Sequence, residues 1–207
     1  MLKEDIEQLL KLDYLQAVDY LKNKYGKCKY DYFYNENCSS ENAKAQRSNE
    51  GLFIHHIDED KYVNLSSRRI AKTFPYIAQK SDRLVYCNYL EHLLLHIKIF
   101  ENYIDGRCKQ SATTGIFCYI IPNLNSFYFT NKFERPYNDM YGQVIKNSFD
   151  EYVLILKYFI KLSKPKLFDN NEKIRKRRFG LIRIDYICKS KSREIYEKLY
   201  LALKDEF

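Results

Sequence analysis

Between Glu4 and Lys24 the apolar side chains fall at Ile6, Leu9, Leu10, Leu12, Leu15, Val18 and Leu21, the three-and-four spacing of a helix face turned to a core. One or two amphipathic helices therefore open the chain and end at Tyr25-Gly26. The pattern lapses over 35–50, NENCSSENAKAQRSNE, whose polar and turn-forming residues predict a loop. Gly51 to Ile57, GLFIHHI, predicts a short strand closed by Asp58-Glu59-Asp60, and Arg83 to Cys87 predicts a second. The intervening 61–82 is irregular, with one helical turn expected around Ser66 to Lys72 before Pro75. Asn88 followed three residues later by Glu91 reads as a capping box, so a helix should run from about Tyr89 to Tyr103 and stop at Asp105-Gly106.

Further on, Gly115 to Ile121 fits a buried strand and a buried helical segment equally, because periodicity cannot separate them in so short an apolar run. Ser148 and Glu151 repeat the capping signature and predict a helix to about Leu162, ended by Pro165. Phe179 to Ile187 is strand-like, and an amphipathic helix is expected from about Ser192 onward. No internal repeat is found. The segments divide as an N-terminal helical and loop region (1–50), a central strand–strand–helix unit (51–104) and a C-terminal α+β region with a basic cluster (105–207).

Composition narrows the function classes. With 207 residues and 45% apolar content the chain can build its own core. Its longest apolar runs, Leu93 to Phe100 and Gly115 to Pro122, are too short to span a bilayer, so no membrane association is expected. A net charge of +8 favours a polyanionic partner. Within that charge Lys173, Arg175, Lys176, Arg177 and Arg178 form a run that can track phosphates or serve as a solvated face. The six cysteines show no CxxC pair, and no charged-then-apolar leader precedes them, which fits reduced thiols in a cytoplasmic protein. Tyr30, Tyr32, Phe33 and Tyr34 could stack on bases, but the alternation of Tyr30, Tyr32 and Tyr34 is that of one strand face, and packing is the preferred reading.

All four histidines fall in two pairs, the doublet His55-His56 and the i,i+4 pair His92/His96. The second pair shares a helix face, so both rings can reach one cation, while the end of the first strand delivers a further ligand from the opposite side. Glu91 is better explained by the cap than as a ligand. Asp58, Glu59 and Asp60 could supply a second carboxylate to a cation, yet an acidic turn after a strand is usually solvated, and that reading is preferred for each.

The order of strand with HHIDED, loop, strand and helix with RLVYCNYLEHLLLHIKI resembles the HNH, or ββα-metal, nuclease family. Within it the branch reading roughly HHI and then NLVxLTxxEHFxxHxLL is most similar. The resemblance covers 51–100 and implies an α+β fold in which a ββα-metal finger is embedded in a mainly helical domain with a small C-terminal α/β extension. It further implies an endonuclease hydrolysing phosphodiester bonds, DNA before RNA, with His56 as general base and His55, His92 and His96 as ligands. One divalent ion, Mg²⁺ or Mn²⁺, is implied, and Zn²⁺ or Ni²⁺ could also occupy the site. The family carries Asn nine residues before the first helical histidine, where this chain has Arg83. Arg83 is therefore expected either to bond backbone carbonyls or to face the scissile phosphate as part of the catalytic set. The same departure leaves a second expectation, a catalytically degenerate nucleic-acid-binding or inhibitor protein of a phage or mobile element. Oligomeric state is not legible.

Overall fold

The computed structural model describes residues 2–102, 107–130, 139–167, 199 and 201–203. They form a mainly helical α+β protein with one two-stranded antiparallel sheet. The opening amphipathic stretch is two helices, α1 (Leu2–Lys11) and α2 (Tyr14–Tyr25). Asp13 divides them: its carboxylate accepts the Gln16 N–H at 2.9 Å, and Gln16 Oε1 accepts the Asp13 N–H at 3.1 Å. That reciprocal cap satisfies backbone donors which would otherwise be orphaned at the start of α2. Both helices bury their apolar stripes, Ile6 and Leu9 from α1 and Tyr14, Ala17, Val18 and Leu21 from α2.

Strands β1 (Phe53–His56) and β2 (Leu84–Cys87) pair antiparallel, with Phe53 opposite Cys87, Ile54 opposite Tyr86, His55 opposite Val85 and His56 opposite Leu84. The period of two sends alternate side chains to opposite faces. Val85 and Cys87 join the main core, whereas Leu84 and Tyr86 join a smaller cluster with Cys28, Tyr32, Phe33, Cys38, Leu52 and Ala71. The hairpin is thus packed on both sides, and His55 and His56 are directed to different sides of it. Between the strands the helical turn expected before Pro75 is α3 (Arg68–Ala71).

The centre of the main core is α4 (Tyr89–Asn102), which contacts α1, α2, both strands and several of the helices that follow. Its apolar residues occupy nearly the whole circumference, as expected of a helix enclosed by others. The Asn88 carboxamide accepts the N–H groups of Leu90 and Glu91 at 2.9 and 3.0 Å, and Glu91 accepts the Asn88 N–H at 2.8 Å, so the predicted capping box is present. Glu91 is also an anchor: wholly buried, it accepts bonds from Lys24 Nζ at 2.7 Å and the Tyr25 hydroxyl at 3.1 Å, tying the end of α2 to the start of α4.

Helix α5 (Arg107–Thr114) passes through a π-helical stretch, Gly115–Ile120, into α6 (Ile121–Thr130), so the ambiguous apolar run is helical. Helices α7 (Asp139–Ile145) and α8 (Phe149–Leu167) extend the core, which Leu199 and Leu203 also join. Helix α8 continues two residues past Pro165; so near a helix end, proline interrupts only the last turn. Among the described residues no helix is long and apolar enough to cross a membrane.

Two sequence expectations are corrected. Tyr30, Tyr32 and Tyr34 do not share a packed strand face: Tyr30 and Tyr34 are exposed and only Tyr32 is buried. Their segment makes a single bridge, Phe33 to Glu41, and is held instead by bonds such as Tyr32 N–H to Gln79 O at 2.8 Å. The acidic turn after β1 is a 3₁₀ turn, Ile57–Asp60, and it is not uniformly solvated: Asp58 is buried and Glu59 is only 16% exposed. The basic run Lys173, Arg175, Lys176, Arg177 and Arg178 and the strand predicted after it lie outside the described residues.

Candidate metal centre

His55 leaves β1 on the main-core side, where α4 places His92 and His96 one turn apart. The three rings lie edge-on to one another at centroid separations of 4.8–5.4 Å. One nitrogen from each ring falls within 4.8 Å of the other two, so the trio could hold a metal ion. Between His92 Nε2 and His96 Nε2 the distance is 3.2 Å. That is the spacing of neighbouring ligands each about 2.1 Å from one ion.

Hydrogen bonds fix which nitrogen of His55 is available. The Tyr14 hydroxyl donates to Ile57 O at 2.9 Å, and its oxygen lies 2.9 Å from His55 Nε2. Having spent its only proton on the carbonyl, the hydroxyl accepts the proton of Nε2. His55 Nδ1 is then a bare lone pair, buried and without a hydrogen-bond partner. Metal-binding histidines have this arrangement, one nitrogen held by an outer partner and the other left for the ion.

His56 is settled by the same logic on the opposite side of the hairpin. Gln79, fully buried, donates its amide N–H to Leu65 O at 3.2 Å, which directs its Oε1 to His56 Nε2 at 2.9 Å. An amide oxygen can only accept, so Nε2 carries the proton and Nδ1 the lone pair. The Tyr32 ring covers the imidazole at a centroid distance of 4.5 Å. Adjacent strand residues point apart, so His55 joins the α4 histidines and His56 stands apart from them.

Burial lowers the pKa of all four rings, to about 4 for His56 and His92 and well below the ordinary value for His55 and His96, where neighbouring histidines add to the effect. At neutral pH the cluster therefore presents uncharged imidazoles, the form in which histidine binds a cation or accepts a proton.

Glu59 reaches both sides of the hairpin from the 3₁₀ turn. Its Oε2 lies 3.5 Å from His96 Nε2 and 3.8 Å from His55 Nδ1, while Oε1 lies 3.8 Å from His56 Nδ1. Burial pushes its carboxyl up to about 7. The solvated reading preferred for the acidic turn over a carboxylate for a cation does not hold for this residue. The signal available in the sequence was its spacing, three residues beyond His56 and four beyond His55, where a tight turn after the strand brings it back beside both.

Arg83 does not enter the cluster. Its guanidinium forms a two-pronged pair with Asp58, Nε donating to Oδ2 at 2.7 Å and Nη2 to Oδ1. The Arg83 fork thus fastens the turn that carries Glu59 to the start of β2. Gly115 supports His96 from the far side: a β-carbon there would fall 3.1 Å from both Cε1 and Nδ1 of the ring. No protein-family model, curated protein or solved structure matches this chain.

Proposed function

We propose that the chain is a divalent-metal-dependent endonuclease of the ββα-metal type, hydrolysing phosphodiester bonds in nucleic acid, with DNA the first substrate to test. The observation that carries this reading is the convergence of His55, His92 and His96 beside a separate histidine, His56, whose tautomer leaves Nδ1 free. The donor set suits a divalent ion: neutral imidazoles, an orphaned buried Nδ1 on His55 and a 3.2 Å spacing between the α4 nitrogens. His55, His92 and His96 would hold the ion, Mg²⁺ or Mn²⁺ by the resemblance of the motif. Bound there, it would supply electrostatic stabilisation of charge developing on the phosphate.

The chain's own residues do the rest. His56 Nδ1 takes a proton from the attacking water, and Gln79 holds the ring so that this nitrogen, not Nε2, is the base. A low pKa keeps the ring unprotonated and ready. Tyr14 holds His55, and Arg83 holds the turn through Asp58; both are positioning residues.

The test is nicking of supercoiled plasmid in Mg²⁺ or Mn²⁺, with loss in EDTA and a fall of about 10²- to 10⁴-fold in His56→Ala. Cleavage that survives both treatments would sink the reading. A second reading, a non-catalytic nucleic-acid-binding protein whose metal only braces the fold, is favoured by the 1% exposure of both His55 and His56. In that case metal raises the melting temperature, His56→Ala leaves duplex binding intact, and no nicking occurs.

A further inference from the structure

We propose that Glu59 is the fourth protein ligand of this centre, its Oε2 joining His55, His92 and His96 to make a three-histidine, one-carboxylate site; the proposal rests on the metal reading above. The hydrogen-bonding partners around Glu59 are mismatched. Tyr14 fixes the proton of His55 on Nε2, so the nitrogen that faces Glu59 Oε2 is a lone pair. Gln79 does the same for His56, whose lone pair faces Oε1. Two acceptor nitrogens thus confront the two oxygens of a largely enclosed carboxyl group; ionised it has no proton to offer and protonated it has only one, so at least one of the two pairings is left unmade.

Among the described residues the ion-pair contacts of Glu59 are all with histidines, and no Lys or Arg is among them. Burying a carboxylate without a compensating donor or positive charge is costly. A cation between Oε2 and the ring nitrogens resolves both difficulties. The distances to His96 and His55, 3.5 and 3.8 Å, are too long for charge-assisted hydrogen bonds but suit donors arranged around one ion about 2.1 Å from each, and a small shift of the Glu59 side chain toward the three histidines would complete the set.

A fourth ligand has consequences for metal choice. An ion content with four ligands, such as Zn²⁺, is closed by this set, whereas Mn²⁺ or Mg²⁺ retains positions for water or substrate. Glu59 also lowers the net charge of the loaded site by one, and its second oxygen stays beside His56.

The experiment is titration of the metal-free full chain with Co²⁺, read by its visible absorption and by competition with a chelator, for wild type, His92→Ala, Glu59→Gln and Glu59→Asp. Expected are one Co²⁺ per wild-type chain, loss of binding in His92→Ala, and an affinity at least about tenfold weaker in Glu59→Gln with an altered absorption band. Glu59→Asp keeps the band with an intermediate affinity. Circular dichroism of the metal-free variants verifies the fold, and Glu59→Gln should fold readily because it removes a buried anion. If wild type binds Co²⁺ and Glu59→Gln matches it in affinity and spectrum, Glu59 is not a ligand and the proposal falls alone. If wild type binds no Co²⁺, the metal reading falls and takes the proposal with it.

Discussion

The Tyr14 hydroxyl stands 2.9 Å from His55 Nε2 and 2.9 Å from the Ile57 carbonyl, so one side chain of α2 holds both a candidate ligand and the turn that follows it. Tyr14→Phe keeps the ring and removes the bridge. The carbonyl and the imidazole N–H are then left unpaired in the core, at about 1–3 kcal/mol in urea unfolding. Co²⁺ affinity should fall about 10- to 100-fold, the usual effect of losing an outer partner of a ligating histidine. Unchanged affinity would remove Tyr14 from the positioning set.

Gln79 is expected to act on the base alone. In Gln79→Leu the His56 ring loses the acceptor that keeps its proton on Nε2, so nicking should slow by about tenfold or more in kcat with little change in KM. Co²⁺ binding should stay near wild type, because His56 lies outside the trio. Parallel losses in both measurements would merge two sites that the hairpin keeps on opposite faces.

Gly115→Ala separates packing on His96 from general stability. Alanine suits a helix interior better than glycine by about 0.5–1 kcal/mol, yet its methyl group would press on the imidazole at 3.1 Å. The expected outcome is a melting temperature close to wild type with weaker Co²⁺ binding. Equal affinity would mean that the ring yields without cost.

Asp58 and Arg83 should set part of the acid stability. Burial works against the charged form of Asp58, but the Arg83 fork and then Lys61 outweigh it and hold the pKa below the usual carboxylate value. A group whose pKa is lower when folded adds stability above about pH 3.9, its unfolded value, and loses that contribution as pH falls through the folded value. Arg83→Met should therefore start acid unfolding at a higher pH. Because Arg83 keeps 32% of its side chain in solvent, the cost at pH 7 should be about 1–3 kcal/mol rather than that of an enclosed pair. Asp58→Asn in the same chain should recover most of it, measured as a double-mutant cycle.

How much of this was legible depended on range. Helix α4 was readable because its cap, Asn88 and Glu91, and its histidine spacing are both local. So were the two strands, whose apolar runs end at clear turn residues. Tyr14 and Gln79 were not: each acts on a histidine 41 or 23 residues away, through a hydroxyl or amide that looks ordinary in its own segment. Tyr30 to Tyr34 misled because alternation suggests a strand only if a partner strand exists, and here the neighbour is the 3₁₀ segment Tyr76–Gln79. Glu59 could be named as a possible carboxylate for a cation but not preferred, because an Asp-Glu-Asp run normally faces water and only the closure of the two strands turns its middle member inward.

The tie between α2 and α4 through Lys24 and Glu91 spans 67 residues, and the bond from Lys98 to Leu10 O spans 88. Contacts this distant in sequence form late, after the entropy of closing long loops has been overcome. The centre would accordingly be assembled near the end of folding. A peptide excised as 51–104 would contain every candidate ligand, yet it would lack Tyr14, Lys24 and the apolar faces of α1 and α2 that orient them. Such a fragment should bind metal weakly and without cooperative unfolding, so the candidate metal centre belongs to the folded body and not to the strand–strand–helix segment that carries its motif.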